Sequence, residues 1–335
     1  MNTISPVYAR LVLREMERNT IDTAPLFAGS LLTRQQLLQG GDIRVEDFFR
    51  ILEVGRQSLD GEQLGLMLGR NMRIFVLGPL GAGMAVAPTI REGLQLMASY
   101  TRLHTTYTSV HARPSLAGLK LLLKYQFDMG DLEHFHTETA VMLFQHYIEQ
   151  ITGEPLVDAH YRLSIPPPAD PKVYSEAIHG QLSFGGDRDE IEIPRHWLDH
   201  PSPYYHDELW HQTQLTLSKR LQEKGEQQTE TYSQHVSALL GTSEPPLPEL
   251  GQVAKNLLVS ERTLNRRLQA EGVNFRQLKS LALASWAKIY LIQTQNSVES
   301  IAANLGYNDT ANFRRAFRKS TGATPSEYRL ANKRA

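Results

Sequence analysis

Apolar side chains recur three and four positions apart through most of the first hundred residues, a period that predicts helices. Over 6–19, Val7, Leu11, Val12 and Met16 share one face. The spacing continues over 30–38, 45–59 and 62–70, with Gly40, Gly41 and Asp42 as a break. A further helix over 89–100 has Thr89 placed to cap its first turn. From Tyr107 the period becomes two. Strands are predicted over 108–112 and 118–127, the second alternating through Leu119, Leu121, Leu123 and Tyr125. A helix over 135–152 follows and ends at Gly153 and Pro155. Then come a strand over 156–163, a proline-rich connector at 165–168, a short helix over 171–179, one or two strands over 182–193, and a helix over 208–225. This interleaving predicts an α+β N-terminal domain, helices plus a largely antiparallel sheet.

The last third reads as separate helices, the first a short one over 231–240 followed by a loop over 243–248. A polar run over 223–230 separates it, giving expected domains of 1–225 and 229–335. A helix over 247–257 buries Leu250, Val253, Ala254 and Leu257, and a tight turn at Leu258 and Val259 leads to a helix capped by Ser260. Helix, short turn, helix is the helix-turn-helix device. The second helix turns Leu264 and Leu268 inward and Arg262, Asn265, Arg266 and Gln269 outward. A second copy follows: a helix over 298–305, a turn at Gly306, Tyr307 and Asn308, and a helix capped by Asp309. That helix buries Phe313, Ala316 and Phe317, with Thr310, Ala311, Asn312 and Arg315 outside. Between the copies an unbroken helix over 275–293 spans roughly 28 Å at ~1.5 Å per residue. Successive major grooves on one face of DNA lie about 34 Å apart.

Net charge is −1 over 335 residues and indicates no partner, but its distribution does. Residues 229–335 carry 14 Lys and Arg against 8 Asp and Glu, while the rest is acidic. A basic third on an acidic body suits a domain that meets a polyanion. The chain has no cysteine, which removes disulfides, thiolate catalysis and Cys-based zinc sites and fits a reducing cytoplasm. The N-terminus lacks the pattern of a signal peptide, and no apolar run is long enough for a membrane span.

The case for an enzyme is empty. The glycine-rich 77–83 stretch fits neither phosphate-loop pattern, and close helix packing accounts for it. No Gly-x-Ser-x-Gly elbow or zinc-protease histidine pair occurs. His196 and His200 have helical spacing without a third ligand, so no metal and no cofactor is expected.

The C-terminal residues resemble the DNA-binding domain of the AraC/XylS family of bacterial transcription regulators. The resemblance rests on Val253-Ala254, Ser260-x-x-Thr-Leu-x-Arg-x-Leu268, Glu271-Gly272, Phe275-x-x-Leu278, Ile301-Ala302-x-x-Leu305-Gly306-Tyr307, Phe313-x-Arg315-Ala-Phe317, Gly322-x-x-Pro325 and Tyr328-Arg329, about 100 residues in order. It implies an all-α domain with two helix-turn-helix motifs joined by a long helix and set in adjacent major grooves. Leu283 departs from the arginine that many members carry in the joining helix. The N-terminal part is similar to the arabinose-binding-type regulatory domain of the branch that includes ornithine-utilisation regulators, through Ile4-Ser-Pro6, Leu77-Gly-Pro-Leu-Gly81 and Pro88-Thr89. That implies effector sensing, self-association, or both.

The expected function is sequence-specific DNA binding by a cytoplasmic activator under small-molecule control. The alternative is a DNA-binding or architectural protein without a small ligand. Arginine reads guanine and asparagine reads adenine bidentately in the major groove. The expected base contacts are therefore Arg262, Asn265 and Arg266, and in the second motif Thr310, Ala311, Asn312 and Arg315. Phosphate contacts are expected from Ser260, Arg267, Arg314, Arg318 and Lys319, so the first motif should discriminate more and the second anchor more. Expected partners are double-stranded DNA, RNA polymerase, an unidentified effector and a second copy through the N-terminal domain. The strand over 119–127 and the helix over 141–151 are candidate pocket walls and equally ordinary core, so no effector residue is assigned.

Overall fold

Threonine caps set the start of two of the early helices, at Thr33 and Thr89. The computed structural model describes residues 3–332 except 60–62, 106, 127–128, 131, 169, 226–231 and 258. The first layer is α1 (Val7–Arg18), α2 (Arg34–Gln39), α3 (Val45–Ser58) and α4 (Leu64–Asn71), with a short pair β1 (Thr3–Ile4) and β2 (Ile43–Arg44). The second helix starts at Arg34, not Ser30, because Thr33 and Gln36 close a reciprocal capping box while Ser30 bonds Asp47. Leu13, Met16, Phe48, Ile51 and Leu52 fill the core between these helices.

The glycine-rich stretch is α5 (Pro79–Ala85), preceded by a single 3-10 turn. A Cβ on Gly83 would lie 2.6 Å from side-chain carbons of Leu96 and Thr213, so glycine here permits close packing of helices. It packs on α6 (Ile90–His104), whose cap is Thr89 as expected.

The sheet consists of β3 (Thr108–Pro114), β4 (Gly118–Tyr125), β5 (His160–Arg162), β6 (Gln181–Ser183) and β7 (Asp189–Pro194). Its order is β3-β4-β7-β5-β6, antiparallel except for β5 with β6. The strand expected over 156–163 shrinks to three residues. A turn from Val157 N–H to the Pro155 carbonyl occupies its start, and Asp158 accepts from Trp197 Nε1 at 2.6 Å. Leu119, Leu121, Ile191 and Ile193 share one core with Leu143, Phe144 and Ile148 of α7 (Leu132–Thr152). That helix also carries a buried carboxylate. Glu138 accepts from Gly65 N–H at 3.0 Å and from the Tyr174 hydroxyl on α8 (Lys172–Ala177), pinning two neighbouring helices to it. The domain closes with α9 (Arg195–Leu198) and α10 (Asp207–Gly225), which packs on α5 and α6.

The remaining helices are α11 (Tyr232–Thr242), α12 (Leu250–Asn256), α13 (Glu261–Ala270), α14 (Phe275–Gln293), α15 (Val298–Asn304), α16 (Thr310–Thr321) and α17 (Pro325–Asn332). They surround a separate core that includes Val236, Leu240, Leu264, Leu268, Trp286, Ile301, Phe313 and Phe317. The twelfth helix starts at Leu250, three residues later than the apolar pattern indicates, because a Glu249–Gln252 capping box follows Pro248. Helix α14 matches its expected bounds, set by the Asn274–Gln277 capping box.

One buried group gives this fold a pH signature. His136 on α7 lies under Phe48, Tyr107 and Phe135, the Tyr107 ring centroid 4.8 Å away, and its Nε2 has no hydrogen-bond partner. Burial pushes its pKa down from 6.5 to about 3. In the unfolded chain the ring takes a proton near pH 6.5, while in the folded chain it stays neutral. This contribution is therefore full above pH 6.5 and is lost as pH falls toward 3. His136→Phe should reduce the loss of unfolding free energy between pH 7 and pH 5 by on the order of 2 kcal/mol. Urea denaturation at the two pH values checks this, and parallel profiles for variant and parent would refute it.

Candidate nucleic-acid interface

The two recognition helices are built alike. In α13 the Ser260 hydroxyl accepts from Thr263 N–H at 3.1 Å, and Gly272 at φ 74° carries the chain away after the last turn. In α16 the Asp309 carboxylate accepts from Ala311 N–H at 2.9 Å, and Gly322 at φ 81° ends the helix. Leu264 and Leu268 anchor the first, and Phe313 and Phe317 the second, against rings of Tyr307 and Tyr328 at 5.4 and 5.5 Å.

Burial of those faces leaves the opposite faces to solvent. Arg262 and Arg266 are exposed, one helical turn apart, and neither pairs with a carboxylate among the described residues. Asn265 between them is half-buried. On α16, Ala311, Asn312 and Arg315 are exposed and Thr310 is half-buried, with Arg315 donating to Asn312 Oδ1 at 2.6 Å. Each set of expected base contacts thus lies on a single helix, largely on its exposed face, one helix before and one after the spacer α14 in the chain.

The expected phosphate contacts divide. Arg318 and Lys319 are exposed in the last turn of α16. Arg314 is exposed but donates to Glu299 at 3.0 Å. The Glu299 carboxyl lies below its usual range, chiefly through its own backbone N–H and further through Ser297 and Arg314. Ser260 is exposed with its hydroxyl engaged as the cap. Arg267 is half-buried, bonded to the Tyr232 hydroxyl and set 4.4 Å over that ring, a contact that holds α11 and competes with the phosphate role expected of it.

Two supporting residues were not legible as such. Glu271, seen only as a motif position, accepts from Tyr232 and Ser233 N–H at 2.5 and 2.8 Å and so caps α11 from a distance. Arg329 on α17 donates to the carbonyls of Leu291 and Asn296 at 3.1 and 2.6 Å, tying the end of α14 to the loop before α15. That last helix was missed although Thr324 and Glu327 form a reciprocal cap, a spacing readable in the sequence. Among the described residues no cluster of His, Cys, Asp and Glu could hold a metal ion, and no helix is long and apolar enough to cross a membrane.

Both parts of the chain have counterparts among known proteins. Residues 21–202 match the model of the arabinose-binding N-terminal domain of AraC transcription regulators, and residues 253–331 match a helix-turn-helix domain. The chain is 30% identical over 294 residues to an ornithine utilization regulator of Pseudomonas aeruginosa, covering 84% of this chain and 83% of that one. It is 24% identical to the transcriptional regulator VqsM of the same organism, over 79% of this chain and 83% of that one. The crystal structure of the transcriptional regulator CdpR from Pseudomonas aeruginosa superposes with a TM-score of 0.52 at 22% identity, over 98% of this chain and all of that one, and so shares the fold.

The contrast between Arg267 and Lys319 can be measured. Lys319→Ala should flatten the dependence of log affinity on log salt by about one unit and weaken binding to all sequences alike. Arg267→Ala should leave that slope unaltered and lower stability by about 0.5–2 kcal/mol through the lost contact with Tyr232. Titrations of a DNA duplex at several salt concentrations, with urea denaturation in parallel, separate the two; a changed slope for Arg267→Ala would return it to the phosphate set.

Proposed function

The chain belongs to the AraC family of DNA-binding transcription regulators, with an arabinose-binding-type N-terminal domain, and we propose that it is an effector-controlled activator. Residues 229–335 bind the operator and residues 1–225 sense a small molecule and self-associate. Neighbouring major grooves receive α13 and α16, and a second copy and RNA polymerase complete the assembly at the promoter.

The observation that carries this reading is the pair of exposed, arginine-bearing helices at the two ends of one spacer helix. In α13, Arg262 and Arg266 are exposed and, among the described residues, have no internal partner to give up, and Asn265 lies between them. These are the side chains that read guanine and adenine edges. In α16, Arg315 is preorganised by Asn312, and Thr310 and Ala311 complete the outer face of the first turn. Arg318, Lys319 and, after exchange of Glu299, Arg314 reach phosphates, with Ser260 at the N-terminus of α13. The first motif therefore carries more of the discrimination and the second more of the anchoring.

Selecting binding sites from a random DNA pool with the full-length chain, then scanning the operator base by base, tests the assignment. Two half-sites about one helical turn apart should emerge, with the larger penalties in the half bound by α13. Arg266→Ala should weaken specific binding by about 1–3 kcal/mol and relax preference at one base pair. A variant that binds the selected operator as the parent does would remove Arg266 from the reading set.

A further inference from the structure

We propose that the cleft where α6, β3 and α11 meet is the effector site, and that it takes a neutral small molecule with hydroxyl or carbonyl groups on one side and an apolar face on the other. The proposal rests on the reading that an effector controls this chain, and it names where that effector sits and what chemistry it has.

The cleft encloses about 290 Å³. An engineered cavity of ~150 Å³ accepts benzene, so this one has room for a metabolite of roughly twice that size. Its walls come from three places. Helix α6 contributes Ser99, β3 contributes Ser109 and His111, and α11 contributes Gln234 and His235. Val273 and Leu278, from the DNA-binding domain, close it with apolar surface. Among the described residues no Asp, Glu, Lys or Arg lines it. A charged ligand would give up part of its hydration in a cleft whose described lining offers no formal counter-charge. A neutral polar ligand meets hydroxyls, an amide and two imidazoles. Ser99 adds a specific demand: its buried hydroxyl oxygen has no hydrogen-bond partner, a state that an incoming donor or acceptor relieves.

The expected walls lie one layer deeper. Leu123, Tyr125, Leu143 and Phe144 line a cavity of about 60 Å³, too small for the same ligand, which shares Thr101 and Val110 with the cleft. The cleft is also the only one of the two whose lining includes residues of the DNA-binding domain. A molecule seated there touches both domains, so its binding energy depends on their relative placement, and by linkage operator binding alters its affinity in return.

The absence of cysteine makes a clean test available. Full-length Ser99→Cys and, from the opposite wall, Ala238→Cys each carry one thiol, and Gln35→Cys supplies an exposed control. Each is equilibrated with the symmetrical disulfides of thioglycerol, cysteamine and 3-mercaptopropionate. In each case the protein thiolate displaces one thiol and keeps the other half as a mixed disulfide. Intact mass should show the neutral diol favoured over both charged groups by at least about five-fold at the two cleft positions relative to the control. Equal preferences at all three positions, or a preference for a charged group in the cleft, would overturn the site. If Ser99→Cys does not fold, Ala238→Cys alone decides. Capping with the diol should also change affinity for the selected operator several-fold. Selective capping with unchanged operator affinity would keep the site and defeat effector control, so the two claims fail separately.

Discussion

Helix α11 has to satisfy two cores at once, and the arrangement of the whole molecule depends on it. Val236 and Leu240 are fully buried in the DNA-binding core. On the other side His235 faces the ring of Tyr100 on α6 at 5.7 Å, and the Tyr100 hydroxyl reaches Ser218 of α10 at 3.1 Å. Glu271 and Arg267 then fix the N-terminal end of α11 to α13. A helix of eleven residues held on both faces leaves little freedom for the domains to reorient unless one face lets go. The recognition surface and the regulatory domain are therefore linked through packing as well as through the chain.

Within the DNA-binding domain α14 does the corresponding work. Trp286, buried at its centre, donates its indole N–H to the Ser243 carbonyl at 3.1 Å, which ties the spacer to the segment after α11. Arg329 fixes its C-terminal end. The residues proposed to read bases need no strained geometry of their own. Their direction follows from which leucines and phenylalanines are buried beneath them, and their spacing from the length of a rigid helix.

Most of this interface was readable in the sequence because its signals are local. Caps at Ser260, Asn274 and Asp309 sit within three residues of the N–H groups they satisfy, and the 3.6-residue period sorts inside from outside. What was not readable depends on residues far apart in the chain. Arg267 looks like any outward arginine until Tyr232, 35 positions away, is placed under it. The strand expected over 156–163 shortens to 160–162, with Asp158 taken by a tryptophan 39 positions on. The cleft is the extreme case: its lining comes from around 100, 110, 235 and 275, with no periodicity joining them.

The ion pair between Arg314 and Glu299 has a consequence for how the protein searches a genome. An arginine already satisfied by an internal carboxylate gains little from any passing phosphate, since each new contact must first displace the old one. With Arg314 in the phosphate role proposed for it, the glutamate competes with the nucleic acid for the same guanidinium. Displacing it costs the same on every sequence, so the pair loosens the hold on all DNA alike and leaves the preference between sequences unchanged. Time spent at any one position shortens, and the ranking of sites is left to the neighbouring side chains.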